Sequence, residues 1–348
     1  MRAFMHGNRK VGRLISILFL AAGFAFFGLL IHTLDAGAIA RELGRTGIYF
    51  PIIIIPYLLA YSSDTVGWRY SFAEKPAISL FRLYWVRLIG ESMNTITPAA
   101  YLGGEPVKVL LMERHGVKMV EGASSVVVAK TVMTIAEAIF IMIGIGIAIH
   151  QIGMGSPLVQ GVMWAMAAFI PICVMLLVLQ RMGMFGALVR IMRYLGVRRD
   201  LLAKFETRLL RIDESLSRYY REEPRGLALG ILFHLIGWTI GVGEAYLLLW
   251  LLGVPVNWGM AFVVESLGAM IRGAIFFIPG GVGATEGGNV LIFAAYGLPG
   301  TTALSFSILR RFREVFFIAI GLSLFSRYEF KALWQRPAEA ESSKLRPE

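Results

Sequence analysis

Ile278-Pro279-Gly280-Gly281-Val282-Gly283-Ala284-Thr285-Glu286 breaks an otherwise apolar segment, and Thr97-Pro98-Ala99-Ala100-Tyr101-Leu102-Gly103-Gly104-Glu105 does the same earlier in the chain. In each copy a glutamate stands seven positions after the proline. A cation follows 25 positions after that glutamate, Lys130 in the first copy and Arg311 in the second. No helix runs through Pro-Gly-Gly-Val-Gly, because proline removes a backbone donor and glycine loses too much entropy in a helix interior. Inside hydrocarbon a broken backbone survives only where protein or a watery cavity satisfies its polar groups. A duplicated pair of such breaks points to the substrate site of a membrane transporter.

The composition agrees with an all-α integral membrane protein. Hydrophobic residues make up 57% of the chain and charged residues 16%, and the mean hydropathy is +0.67. Several apolar runs reach the roughly 20 residues a helix needs to cross about 30 Å of hydrocarbon. A length of 348 residues suits one polytopic membrane domain, 1–330. Cys173 stands alone in an apolar run, so it forms no internal disulfide and reads as a packing residue. The formal charge of +11 would suit a nucleic-acid partner, but the cations lie between hydrophobic spans. There they read as topology signals and as contacts for anionic headgroups, so membrane lipids are the expected partners and nucleic acid is not.

Full crossings fall at 14–34, 47–67, 121–149, 158–180, 226–252 and 303–326. The first follows Arg9, Lys10 and Arg13 and resembles a signal peptide, but it is longer than an ordinary h-region and the topology needs it as a span. The segments 78–118 and 259–300 read as re-entrant hairpins, each returning to the side it entered. Basic clusters test the arrangement. With the N-terminus inside, Arg69, Lys75, Arg82, Arg87, Lys108, Arg114, Lys118, the loop from Arg181 to Arg225, and Arg327, Lys331 and Arg336 all fall in the cytoplasm, and of the basic clusters only Arg41 and Arg45 do not. Gly253 to Asn257, outside, has no Lys or Arg. The result is an inverted-topology repeat, repeat one at 12–150 and repeat two at 157–327, with about six transmembrane helices and two hairpins. The alternative is eight plain spans with kinks at the breaks. A basic amphipathic helix is expected at about 184–223, carrying Leu202, Phe205, Leu209, Ile212, Leu216 and Tyr219 at alternating spacings of three and four; it lies on the cytoplasmic interface or packs under the bundle. The stretch 331–348 reads as a disordered tail.

Charges inside apolar spans are expensive, which makes them functional candidates. Lys130 and Glu137 lie seven apart on one helix, and Arg310, Arg311, Arg313 and Glu314 occupy the matching helix of repeat two. Aligning Pro98 with Pro279 puts Glu91 in register with Arg272, and Glu244 and Glu265 add to the set. In the functional reading, Lys130, Arg272, Arg310 and Arg311 neutralise a phosphate-like headgroup. Backbone N–H groups at the tips (Pro98, Gly103 and Gly104; Pro279, Gly280, Gly281 and Gly283) donate to its oxygens, and Glu105 and Glu286 act as gates or proton carriers. In the structural reading, Glu105 and Glu286 only stabilise helix N-termini, and the cations pair with Glu137 and Glu314. His234, beside Trp238, reads as a hydrogen-bonded packing residue, and Asp64 is placed near the cytoplasmic headgroups. No metal spacing, nucleophile elbow or Walker loop is present, so neither a cofactor nor enzymatic activity is expected.

These residues resemble a known family. Asn94-Thr95-Ile96-Thr97-Pro98, Gly104-Glu105, Leu110-Leu111 and Val126-Val127-Val128-Ala129-Lys130 look like the first motif of the flippase-like membrane domain, also called the transmembrane region of lysylphosphatidylglycerol synthase. Pro279-Gly280-Gly281-Val282-Gly283, Glu286-Gly287 and Ile308-Leu309-Arg310-Arg311 look like the second. Gly103-Gly104-Glu105-Pro106-Val107-Lys108 is most similar to the branch associated with hopanoid biosynthesis. The resemblance implies a multi-pass protein of a bacterial inner membrane, with both termini cytoplasmic, that moves a hopanoid, phospholipid or polyprenyl phosphate between leaflets. Many members carry an arginine between the first proline and glutamate and another where Lys130 stands; this chain has Ala99-Ala100-Tyr101-Leu102 in that gap, so headgroup preference does not carry over. A soluble aminoacyl-transfer domain is not seen in the sequence, so synthesis of lysyl-lipid is not expected. The rival reading is a non-transporting scaffold or accessory subunit whose partners are lipid-biosynthesis enzymes.

Overall fold

The structure is a computed structural model that describes residues 49–96, 103–195, 199–275 and 281–344, with Ile278 and a few positions between 37 and 44. The expected span at 14–34 and the tip residues Pro98, Pro279 and Gly280 lie outside the described residues. Among the described residues the chain is helical throughout, with no strand. The helices are α1 (Phe50–Arg69), α2 (Leu80–Ile96), α3 (Glu105–Arg114), α4 (Met119–Gln151), α5 (Pro157–Met182), α6 (Met184–Tyr194), α7 (Arg199–Glu222), α8 (Pro224–Leu251), α9 (Trp258–Ala274), α10 (Ala284–Ala295) and α11 (Gly300–Lys344).

α4, α5 and α8 are long and apolar enough to cross a bilayer. α4 has 33 residues, about 50 Å at 1.5 Å per residue, so it exceeds the hydrocarbon thickness. α5 and α8 both open with proline in the first turn, where the missing N–H costs nothing. α1 and α11 occupy the places of the expected spans at 47–67 and 303–326, and Asp64 of α1 and Arg310, Arg311, Arg313 and Glu314 of α11 face partners inside the protein, as described below. Large side chains on α1 and α5 stay exposed, among them Ile55, Leu59, Trp164, Val174 and Met175. Exposed apolar side chains of that kind fit contact with lipid tails.

Both breaks fall where the glycines and prolines require them. α2 stops at Ile96 and α3 starts at Glu105; α9 stops at Ala274 and α10 starts at Ala284. Gly281 and Gly283 adopt φ of +57° and +79°, a region closed to most side chains. The two helix–break–helix units pack reciprocally: α4, which follows the first, lies against α9 of the second, and α11, which follows the second, lies against α2 of the first. Small residues allow both approaches. A methyl on Gly144 would run into Ser266, and one on Gly321 would run into Ser92 and the Leu88 carbonyl. α1 and α8 also meet closely, Gly67 facing His234 and Gly237 facing Asp64.

Each unit is wrapped in its own apolar core. Trp68, Leu83, Val86, Ile89, Leu111 and Met112 close around α2 and α3; Phe140, Leu248, Val264, Leu267, Phe293 and Phe306 close around α9 and α10. The amphipathic segment expected as one helix at 184–223 forms two, α6 and α7. α7 packs under the bundle: Leu216 and Tyr219 bury against Val128 and Val132, and Tyr219 donates to the Tyr70 carbonyl at 3.0 Å. Asp213 of α7 accepts the N–H groups of Phe185 and Gly186, at 3.0 and 2.6 Å, where α6 begins. Where a disordered tail was expected from 331, the backbone of α11 continues as helix to Lys344.

Candidate functional site

The first break gathers charges from three helices. Glu105 opens α3, and its carboxylate lies 3.1 Å from Lys108 Nζ one turn on and 3.4 Å from Lys130 Nζ on α4. Lys108 Nζ also donates to Glu91 of α2 at 2.6 Å, and its cation stands 5.8 Å from the Trp68 ring. Asn94 ties the break to both carboxylates. Its amide nitrogen donates to Glu105 at 3.1 Å and to Glu91 at 3.3 Å, and its oxygen accepts the Gly104 N–H at 2.7 Å. Gly103 and Gly104 form the turn into α3, and a methyl on Gly104 would collide with the Gly90 carbonyl. The two arms therefore touch backbone to backbone.

A cleft of about 30 Å³ lies among Trp68, Glu91, Glu105, Lys108, Lys130 and His234. That volume holds a water or two and no headgroup. Behind it, Asp64 of α1 accepts from Arg87 of α2 at 3.0 Å and meets His234 Nδ1 of α8 at 2.8 Å. His234 is 1% exposed, and its Nε2 has no protein partner among the described residues.

The second break gathers a larger cluster. Glu286 turns back to accept the Gly283 N–H at 2.6 Å at the start of α10 and accepts from Arg311 Nε of α11 at 2.8 Å. Arg311 also reaches Glu314 at 3.0 Å. Glu265 of α9 joins Arg272 at 2.9 Å and Arg310. Glu244 of α8 pairs with Arg313 and lies 3.8 Å from Arg310 Nε. The Arg313 guanidinium sits 4.2 Å over the Tyr57 ring of α1. The Tyr57 ring also meets Phe317 of α11, with centroids 4.5 Å apart, and Tyr61 of α1, at 5.8 Å.

The pairs spaced 25 residues apart, Glu105 with Lys130 and Glu286 with Arg311, meet in space. The register partners Glu91 and Arg272 do not meet: Glu91 pairs with Lys108, and Arg272 with Glu265. Glu137 pairs with neither cation, contrary to the structural reading for Lys130; Arg311 does reach Glu314 as that reading has it. Asp64 is tied to Arg87 and His234. Sequence reasoning missed Lys108, Asn94 and Arg87 as site residues. Lys108 and Asn94 had a local signal, standing three residues from Glu105 and Glu91 on one helix face. The contact between Asp64 and His234 spans 170 residues and left no local trace.

Residues 13–321 match the family described as Lysylphosphatidylglycerol synthase TM region. A UPF0104 membrane protein of Methanothermobacter thermautotrophicus is 20% identical over 322 residues, covering 88% of this chain and 93% of that protein. No solved structure gives a significant match. With nearly its whole length matched, this chain belongs to the lysylphosphatidylglycerol synthase TM-region family of membrane proteins.

Proposed function

We propose that this protein is a lipid transporter, not an enzyme, that moves a lipid with an anionic headgroup between the leaflets of a bacterial inner membrane. The observation that carries the reading is the pair of helix breaks, each holding a cluster of cations and carboxylates inside an apolar bundle. Charges there are costly unless paired or used, and a structural role alone would not need seven cations at two matched breaks. Arg87 and Arg313 each keep an Nε–H with no acceptor among the described residues, donors that a phosphate oxygen could take. The reciprocal packing of α4 on α9 and of α11 on α2 supports an inverted-topology repeat, with both termini cytoplasmic and the two breaks entering from opposite faces. Phospholipids, polyprenyl phosphates and hopanoids are the candidate cargoes, and a cationic site favours the first two.

One observation favours a second reading. The cleft is closed around paired charges, as it would be in a scaffold that binds lipid-biosynthesis enzymes and moves nothing. Purified protein in liposomes decides between them. Fluorescent anionic lipid in the inner leaflet becomes accessible to a membrane-impermeant quencher if the protein moves it. Lys130→Gln and Arg311→Gln should each lower that rate by about tenfold or more per folded molecule, with non-additive effects in the double variant because the two cations serve one ligand. A wild-type rate equal to that of protein-free liposomes would refute transport.

A further inference from the structure

Among the described residues of the two clusters the charges balance, with one exception on a neighbouring helix. Arg87, Lys108 and Lys130 face Asp64, Glu91 and Glu105 around the first break. Arg272, Arg310, Arg311 and Arg313 face Glu244, Glu265, Glu286 and Glu314 around the second. The break residues outside the description, 97–102, 276–277 and 279–280, carry no charge in the sequence. Glu137 is left over. It lies near the middle of α4, half-buried, and makes no hydrogen bond or ion pair among the described residues. It faces inward: a methyl on Gly273 of α9 would sit 4.0 Å from its Oε1, Arg272 immediately precedes that glycine, and Lys130 stands two turns before Glu137 on α4.

We propose that Glu137 is the proton-binding group of the transport cycle, taking up one proton each time a singly charged anionic headgroup binds. The inference rests on the transport reading above. An ionised carboxylate without a partner in a span centre is unfavourable, and a proton removes that cost. Lys130 and Arg272, the cations it faces, come one from each half of the molecule. A phosphodiester that drew them together would displace Glu137 from their field, and its carboxylate would then take a proton from water. When the headgroup leaves, the two cations favour the ionised form again and the proton departs. One proton and one negative charge thus enter and leave together, and the net charge of the interior is the same at both stages.

The other groups around α4 sharpen the test. α9 presents Glu265 and Arg272, and α3 presents Glu105 and Lys108, all held in the pairs described. α5 contributes the Cys173 thiol, and α1 contributes Asp64, tied to Arg87. α7 meets α4 far from Glu137, through Ser215 and Ser124. α8 presents Glu244, paired with Arg313, and His234, whose open nitrogen makes it the competing proton site.

Calorimetric titration of the full-length protein in detergent counts the protons. Short-chain phosphatidylglycerol is added below its micelle concentration, in two buffers of unlike ionisation enthalpy, between pH 5 and 8. Wild type should take up one proton per lipid, with affinity falling up to tenfold per pH unit once the proton must be supplied on binding. Glu137→Gln, a neutral copy of the protonated form, should bind with no proton uptake and a flat pH profile. His234→Gln should keep the uptake of one proton per bound lipid, whatever its affinity. Uptake that persists in Glu137→Gln, or is lost in His234→Gln, overturns the proposal, as does binding without uptake or no binding in wild type. If dimethyl phosphate, a tailless anion of the same charge, binds as well and with the same uptake, the site takes free anions and the lipid assignment fails. Should Glu137→Gln not fold, Glu137→Met takes its place: absence of proton uptake per bound lipid in that variant supports the proposal, and uptake that persists in it overturns the proposal. Proton-linked binding without leaflet exchange in liposomes would refute transport and leave the proton site standing.

Discussion

Lys108 and Lys130 both reach Glu105, yet removing them should have unequal consequences. Lys108 Nζ lies 2.6 Å from Glu91 and 3.1 Å from Glu105, and its side chain is 7% exposed. Lys108→Met keeps the apolar stem and deletes the cation, so two carboxylates lose a close partner. Breaking a buried pair from one side costs about 3–5 kcal/mol. Glu91 is 33% exposed and Glu105 keeps Lys130 and Asn94, which lowers the expected cost to about 2–4 kcal/mol. At roughly 2 °C per kcal/mol for larger domains, the unfolding midpoint should fall by about 4–8 °C. Lys130 is 40% exposed and 3.4 Å from its carboxylate, so Lys130→Gln should cost about 0–1 kcal/mol. Thermal unfolding of both variants in one detergent, followed by intrinsic fluorescence, gives the comparison directly. Equal shifts would refute the division of labour, in which Lys108 holds the break together and Lys130 remains free to change partners. A stable Lys108→Met would refute the burial argument itself.

Other consequences are as direct. Single cysteines at Pro255 and Pro299, in a Cys173→Ala background, should label from outside intact cells, and one at Lys118 only after the membrane is breached; labelling of Pro255 and Lys118 from one side would end the inverted-repeat topology. Gly104→Ala should destabilise by about 1–3 kcal/mol, as overpacking does, because the added methyl meets the rigid carbonyl of Gly90 and not a side chain that can swing away; unchanged stability would mean that α2 and α3 do not touch there.

The breaks were legible in the sequence because their cause is local. Proline and glycine are excluded from helix interiors whatever surrounds them, so α2, α3, α9 and α10 end and begin where the residues dictate. The division of the amphipathic segment into α6 and α7 was less legible, since apolar periodicity continues on both sides of the turn. The second charged cluster was visible as a list of residues and invisible as a set of pairs. Which of Glu244 and Glu265 takes which arginine depends on how α8, α9 and α11 are rotated against each other, and that is fixed by packing at residues such as Leu248, Val264 and Phe306. His234 looked like an ordinary packing histidine because Asp64, its partner, sits on a helix 170 residues away.

The 25-residue interval has a geometric origin. From Glu105 to the end of α3 at Arg114 the chain climbs about 14 Å at 1.5 Å per residue, turns, and descends about 16 Å along α4 from Met119 to Lys130. The lysine thus returns to the level of the glutamate. The second copy does the same, up α10 from Glu286 to Ala295 and back along α11 from Gly300 to Arg311. Each glutamate therefore holds two positions at once, in the first turn of a short helix and beside the cation of the helix that follows. The two alternatives raised by the sequence, helix N-terminal stabiliser or site carboxylate, are not exclusive. A carboxylate in a first turn stays favourable there by about 0.3–1 kcal/mol even when its cation leaves. For Glu286 that stabilisation is joined by the hydrogen bond from the Gly283 N–H. A headgroup that draws Arg311 or Lys130 away does not leave an isolated buried charge behind. Exchange of partners at the break is for that reason less costly than breaking an ordinary buried salt bridge, as the proposed binding and release of a charged headgroup requires.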